Sequence, residues 1–171
     1  MGSWLERWSN TWHGLLALMA VWLLASSPWI EMFGAIPAEA GWVDWTHVGL
    51  GLAALPLALL YVVATLSGGR WRLYFPWLAG DFSSLGRDLA GLARGERPLS
   101  EGGGLFAAIE GLLLVAVSAA ALTGAGWFFS QGSEAVYSWW QWHHWAARSC
   151  GALLVLHVTA VALHLVDLIR N

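Results

Sequence analysis

Residues 143–164 read HHWAARSCGALLVLHVTAVALH, an apolar run that contains four histidines. The run continues a hydrophobic stretch that begins near Trp139, and the two together are long enough to cross a bilayer, which takes about 20 residues. His143 and His157 are fourteen residues apart, close to four helical turns. Both side chains therefore lie on nearly the same face, roughly 21 Å apart along the axis. One membrane helix is predicted to present two histidines at two depths.

The composition of the whole chain is typical of a membrane protein. Of the 171 residues, 58% are hydrophobic and 11% are charged, and the mean hydropathy is +0.59. These values exclude a disordered chain and disfavour an ordinary water-soluble globule. The chain has no lysine, and eight arginines stand against eleven acidic residues. A basic nucleic-acid surface and a polybasic lipid-binding segment are therefore both excluded.

Four apolar segments predict an all-α, integral-membrane four-helix bundle that forms a single membrane domain over residues 1–171. Seven of the eight arginines lie near the termini or in the one long connection. By the positive-inside rule, both termini and that connection are cytoplasmic. A short amphipathic surface helix is predicted to begin near Asp81, and Pro98 with the glycines at 102–104 is predicted to break the chain after it. The predicted helices span about 10–30, 45–67, 105–129 and 139–168, and the cytoplasmic loop spans 68–104.

In this topology the histidines pair by depth. His13 and His157 lie in the cytoplasmic half and form the inner pair, whereas His47 and His143 lie in the periplasmic half and form the outer pair. Two neutral imidazoles facing each other across a bundle suit a metal that takes two axial nitrogens and brings four of its own, as haem b does. Nearby glycines would let a flat macrocycle approach the backbone; they are Gly14, Gly49, Gly51 and Gly151.

Each pair is therefore predicted to bind the iron of one haem b, which makes two haems b in all. His144 remains an alternative to His143, because thirteen residues from His157 is also a tolerable spacing. A metal or proton path through the histidines is the alternative to haem.

The same segments resemble the four-helix dihaem cytochrome b family, which includes bacterial cytochrome b561, the cytochrome b subunit of nickel-iron hydrogenases and the gamma subunit of formate dehydrogenases. Besides the histidine-rich fourth segment, the resemblance covers WHGLLALMAVWLL at 12–24, THVGLGLAALPLALLYVV at 46–63, FPWLAGDFSSLGRDLAGLARGERP at 75–98 and ALTGAGWFF at 121–129. Nearly the whole chain is included. The start of the third helix, EGGGLFAAIEG at 101–111, departs from the polar pattern that helps to form the quinone pocket in formate dehydrogenase gamma subunits.

The resemblance implies a multi-pass protein of the bacterial inner membrane that transfers electrons between a periplasmic-side partner subunit and the quinone pool of a respiratory chain. The partner would carry an iron-sulfur centre or a c-type cytochrome, and quinone would react near the inner haem. A free-standing cytochrome b561-type quinone oxidoreductase, for example a superoxide oxidase, is one alternative. A metal or proton transporter is an alternative of another class.

Four further ionisable residues have two interpretations each. Arg148, near the periplasmic boundary, is predicted either to neutralise a haem propionate or to extend to the membrane interface. Glu110, in the third helix, either relays a proton to quinone or pairs two helices. His164 and Asp167, at the end of the fourth helix, either line the quinone pocket or face water.

Overall fold

The computed structural model describes residues 2–67, 69, 71–95 and 103–170, and for residues 2–10, 164, 167, 168 and 170 it describes the backbone only. The secondary structure of these residues is helical, which confirms the all-α fold class. The α-helices are α1 (Gly2–Ser26), α2 (Trp42–Ser67), α3 (Trp71–Tyr74), α4 (Pro76–Ala79), α5 (Ser83–Ala93), α6 (Leu105–Phe129) and α7 (Ala135–Arg170).

The four long helices correspond to the four predicted spans. The third agrees with its predicted bounds, α2 begins three residues earlier than predicted, and α7 extends beyond its prediction at both ends. By contrast, α1 ends at Ser26 because a 3-10 turn with Pro28 follows at Ser27–Trp29. Three described segments are long and apolar enough to cross a membrane: Trp42–Ser67, Leu105–Phe129 and Ala135–Leu163.

The residues pack into two compact units. Unit 1 comprises Met1–Ala64 and Ala116–Ser149, and unit 2 comprises Thr65–Val115 and Cys150–Asn171. The outer pair and His13 belong to unit 1, whereas His157 and Glu110 belong to unit 2. That the whole chain forms one membrane domain stays a prediction.

One buried cluster of unit 1 consists mainly of alanines. Ala54 and Ala58 on α2 are buried against Leu16 of α1 and Ala121 of α6. Between membrane helices there is little hydrophobic driving force, so close van der Waals packing through small side chains holds the backbones together. This packing brings α1, α2 and α6 together beside the outer pair.

Two indole side chains attach the connection between α1 and α2 to the other helices of unit 1. Trp127 on α6 donates its Nε1–H to the carbonyl of Phe33 at 2.9 Å, and Trp140 on α7 donates to the carbonyl of Met32 at 2.9 Å. Met32 and Trp127 are buried together with Val136. The tryptophans thus satisfy carbonyls of an irregular segment that would otherwise be costly to bury.

The loop that was predicted to contain an amphipathic helix holds α3, α4 and α5. The predicted helix, expected to begin near Asp81, corresponds to α5. At its start, Asp81 accepts hydrogen bonds from the hydroxyl of Ser83 at 2.7 Å and from its backbone N–H at 3.0 Å. These bonds from the Ser83 side chain and backbone hold the pKa of Asp81 below its usual range. Asp81 therefore fixes the first turn of α5 most firmly when it is ionised.

The start of α6 is fixed by α5. Asp88 on α5 accepts a hydrogen bond from the backbone N–H of Leu105, the first residue of α6, at 2.8 Å. Gly103 and Gly104 precede it with φ values of +99° and +86°, a backbone region that favours glycine. A Cβ at Gly104 would overlap the Asp88 carboxylate. These two glycines form the predicted chain break, while Pro98 and Gly102 lie outside the described residues.

Candidate functional site

The structure brings the two histidines of the outer pair together within unit 1. His47 near the start of α2 and His143 on α7 have ring centroids 6.5 Å apart, and their ring planes are nearly perpendicular at 88°. Both side chains are half-buried. Sequence separation alone gave no distance between these rings, because they lie 96 positions apart on different helices.

Ser26, the last residue of α1, orients His47. Its Oγ lies 2.9 Å from Nδ1 of His47 and 3.2 Å from the carbonyl of Leu23. A carbonyl only accepts, so the hydroxyl proton of Ser26 points to Leu23 and its oxygen accepts the proton of Nδ1. The side chain of Ser26 is 5% exposed. This network assigns the proton of the neutral His47 ring to Nδ1 and leaves Nε2 with a free lone pair.

The helix α6, which has no predicted ligand of its own, orients His143. Nδ1 of His143 lies 2.9 Å from the carbonyl of Ala120, so it carries the proton and donates it. Thr123 Oγ1 is 3.5 Å from the same nitrogen and donates its own proton to Ala119 at 2.6 Å. In the neutral ring, Nε2 of His143 is again the nitrogen with a free lone pair.

The absence of a side chain at Gly124 lets the His143 ring pack against α6. A Cβ at this position would lie 3.1 Å from Cε1 and 3.2 Å from Nδ1 of His143, tighter than ordinary van der Waals contact. Ser26, Ala120 and Gly124 are the residues that the sequence interpretation missed. The adjacent small residues Thr123 and Gly124 in α6 were the signal available for the α6 contribution.

His144 has a different role from its neighbour. Its Nδ1 lies 2.9 Å from the carbonyl of Trp140, one turn earlier in the same helix, and its ring packs on the Trp140 ring with centroids 4.0 Å apart. His143 faces His47 and bonds to another helix, whereas His144 bonds to its own helix. The geometry therefore favours His143 as the member of the outer pair.

The inner pair is divided between the two units. His13 is exposed on α1, and the hydroxyl of Tyr61 on α2 lies 3.4 Å from its Nδ1, with ring centroids 5.9 Å apart. His157 is half-buried on α7. Pairing of His13 with His157 stays a prediction. Around Gly14 and Gly49 there is open space, since a Cβ there would meet nothing within 4 Å.

A family model for prokaryotic cytochrome b561 matches residues 5–169. The chain belongs to this family. Its membership makes it a membrane cytochrome b with an electron-transfer function, and it implies haem b as the cofactor. No curated protein and no solved structure matches the chain.

For a member of the cytochrome b561 family, the outer pair has a donor set that fits haem b. In the described part of the chain, neither Nε2 atom of the pair has a hydrogen-bond partner. A metal bond to an imidazole nitrogen is about 2 Å long, so rings 6.5 Å apart leave room for one metal ion between them. His47 and His143 would hold the iron of a haem b, and the porphyrin would bring the remaining nitrogen ligands.

The remaining predicted site residues lie on α6 and α7. Arg148 is exposed, and its guanidinium carbon lies 5.8 Å from the ring centroid of Trp145. Glu110 is half-buried on α6. The side chains of His164 and Asp167 lie outside the described residues, so their predicted place at a quinone pocket stays a prediction.

Proposed function

We propose that the chain is a multi-pass dihaem cytochrome b of the bacterial inner membrane. It would carry electrons between a redox partner subunit on the periplasmic side and the quinone pool. The observation that carries this proposal is the geometry of the outer pair, in which two facing imidazoles each engage Nδ1 in a hydrogen bond and keep Nε2 free. Membership of the cytochrome b561 family implies that the cofactor is haem b.

His47 and His143 would hold the outer haem iron through Nε2. Haem b supplies one-electron redox chemistry when it is bound. A hydrogen bond from Nδ1–H to an oxygen fixes the orientation of a ligating histidine and raises its basicity. Ser26 has this effect on His47, and the carbonyl of Ala120 has it on His143. Greater ligand basicity favours the oxidised iron, so both oxygens are expected to lower the potential of the outer haem.

His13 and His157 would hold the second haem in the inner half of the membrane. Tyr61 lies beside Nδ1 of His13, where its hydroxyl oxygen can accept the ring proton as Ser26 does for His47. Near this layer, quinone takes up or releases protons, and Glu110, His164 and Asp167 are our candidates for exchanging them with water.

Haem content and its spectrum test this proposal. The chain, expressed with ample haem and extracted in detergent, should show a Soret band and a reduced alpha band, with two haems per polypeptide. The variants His47→Ala and His157→Ala should each lose about half of that haem, because each removes one of the two histidines that would hold one haem. A colourless protein would contradict the proposal and favour the metal or proton transporter.

Purification from the native membrane distinguishes the two redox roles. A stoichiometric iron-sulfur or c-type cytochrome subunit that purifies with the chain would establish the role as an electron-transfer subunit. Reduction of the purified chain by superoxide, followed by reoxidation by quinone, would instead establish the free-standing oxidoreductase.

A further inference from the structure

Trp22 on α1 carries a buried hydrogen-bond donor in unit 1. Its indole Nε1 is buried and has no hydrogen-bond partner among the residues that the structure describes. A buried donor without an acceptor is costly, above all in a membrane, where water does not reach it. In the same unit, the indoles of Trp127 and Trp140 both donate to carbonyls. The N–H of Trp22 differs from them in needing an acceptor from outside the described residues.

The neighbouring ring of Trp42 does not accept this proton. The centroids of the two indoles lie 5.9 Å apart, and their planes are inclined by 33°. The N–H bond lies in the plane of its own indole, so it makes an angle of at most 33° with the plane of the Trp42 ring. A donor to an aromatic face points steeply towards that face. The two tryptophans therefore stack on each other without a hydrogen bond between them.

Trp22 lies beside the outer pair. On α1 it is four residues before Ser26, so the two side chains are neighbours one turn apart. Ser26 in turn has its Oγ 2.9 Å from Nδ1 of His47. On α2, Trp42 is five residues before His47, and its contact places the indole of Trp22 near the start of that helix. Both helices thus bring the unpartnered N–H to the edge of the outer pair.

Haem b would bring acceptors of its own to this place. The methyl and vinyl groups at the edge of the porphyrin accept no hydrogen bond, whereas its two propionate carboxylates do. A porphyrin is much wider than an imidazole, so one held between His47 and His143 reaches the side chains around the pair. An N–H that donates to a carboxylate makes a charge-assisted bond, about twice as strong as a neutral one. The donor of Trp22 and a propionate therefore complement each other.

We infer that Nε1–H of Trp22 donates to a propionate of the outer haem. This inference rests on the proposed function, since it needs haem b between His47 and His143. The bond gives the buried N–H its acceptor and stabilises a carboxylate that has been withdrawn from water. Trp22 is thus a cofactor-binding residue that fixes the rotation of the porphyrin about the line joining the two imidazoles.

Infrared spectroscopy of the haem-loaded chain tests the bond directly. A host fed with δ-aminolevulinic acid labelled with ¹³C at its carboxyl carbon makes haem labelled at the propionates, which identifies their bands in an oxidised-minus-reduced spectrum. Replacing Trp22 by its isostere benzothienylalanine, in which sulfur takes the place of N–H, removes the donor and keeps the shape. A labelled carboxylate band should shift in this variant. Trp29→Phe, which removes an exposed indole, is the control and should leave the band unchanged.

The same spectra separate this inference from the proposed function. Labelled bands that are identical with tryptophan and with the isostere at position 22 would overturn the inference, and so would a shift confined to unlabelled bands. A chain that is colourless with its natural tryptophan would instead refute the proposed function. In the His157→Ala background, which should lack the inner haem, the shift should persist. Its disappearance there would refute the assignment to the outer haem.

Haem release provides a second measurement. With the isostere at position 22, the outer haem should pass to apomyoglobin about 10-fold faster, because a hydrogen bond to a charged group is lost. Trp29→Phe should release it at the unaltered rate. Equal rates in the isostere variant and in this control would contradict a bond between Trp22 and the haem.

Discussion

The two units use their hydrogen bonds between elements for different purposes. In unit 1, a serine hydroxyl on α1 and a carbonyl on α6 bind the imidazoles of the outer pair. In unit 2, a carboxylate on α5 binds the backbone at the start of α6. Unit 1 thus orients side chains that are proposed to hold a cofactor, while unit 2 positions a helix. Substitutions in unit 1 should therefore change the bound haem first, and substitutions at this contact of unit 2 should change stability first.

The largest effect is expected when His143 is replaced, and it should distinguish His143 from its neighbour His144 on α7. His143→Ala removes a proposed iron ligand and should eliminate about half of the haem. His144→Ala is the matched control and should retain both haems, because its ring bonds to its own helix. Pyridine haemochrome assay on the purified variants measures the difference. The reverse result would make His144 the ligand.

A smaller effect is expected at Ser26. Ser26→Ala leaves the buried Nδ1–H of His47 without its acceptor, and loss of such a partner typically lowers metal affinity about 10- to 100-fold. The outer haem should dissociate faster to apomyoglobin, and its midpoint potential should rise because His47 becomes less basic. Ser27→Ala is the matched control, since Ser27 is exposed and its hydroxyl donates to the carbonyl of Leu24 in α1 and not to a histidine. Equal rates in both variants would show that Ser26 has no influence on the ligand.

Crowding the His143 ring should affect the outer haem less than the loss of Ser26 does. Gly124→Ala places a methyl group against the His143 ring. It should lower the free energy of unfolding by about 1–3 kcal/mol, as overpacking of a core usually does. A changed electron paramagnetic resonance signal of the oxidised outer haem would report the displaced imidazole. Gly86→Ala on α5, where a Cβ meets nothing within 4 Å, is the control. Identical spectra in both variants would contradict the contact between Gly124 and the ligand.

The smallest effect is expected in unit 2. Asp88→Ala removes the acceptor for the first N–H of α6, and loss of a capping side chain costs about 1 kcal/mol. The thermal midpoint of the variant in detergent should fall, while its haem content and both potentials stay unchanged. Loss of haem at the permissive temperature would break the distinction between the two units.

The course of the helices was largely predictable, because hydropathy and chain breakers determine it. The break at Gly103 and Gly104 and the turn after Phe129 confine α6 to its predicted bounds. The end of α1 was predicted too late, since the 3-10 turn at Pro28 begins within the apolar run. Local hydrogen bonding ends a helix there, and hydropathy does not record it.

The candidate site was predictable only in part. Depth along the helices placed His47 and His143 in one layer, because depth follows from position in the chain. Whether His143 or His144 faces His47 depends on the rotation of α7 about its axis. Side-chain packing sets that rotation. Ser26, Ala120 and Gly124 were not predicted for the same reason. A serine, a backbone carbonyl and a glycine gain a role only when another helix approaches them.

The dependence of His143 on α6 limits how the parts of this protein can be reused. A protein engineer who transplanted α7 into a synthetic bundle would carry over the imidazole but lose the oxygen that sets its tautomer. Residues 120–124 would have to travel with it, although they contain no metal-binding side chain. The smallest portable version of this half of the site is therefore a helix pair, and one of the two helices contributes only a carbonyl and a missing methyl group.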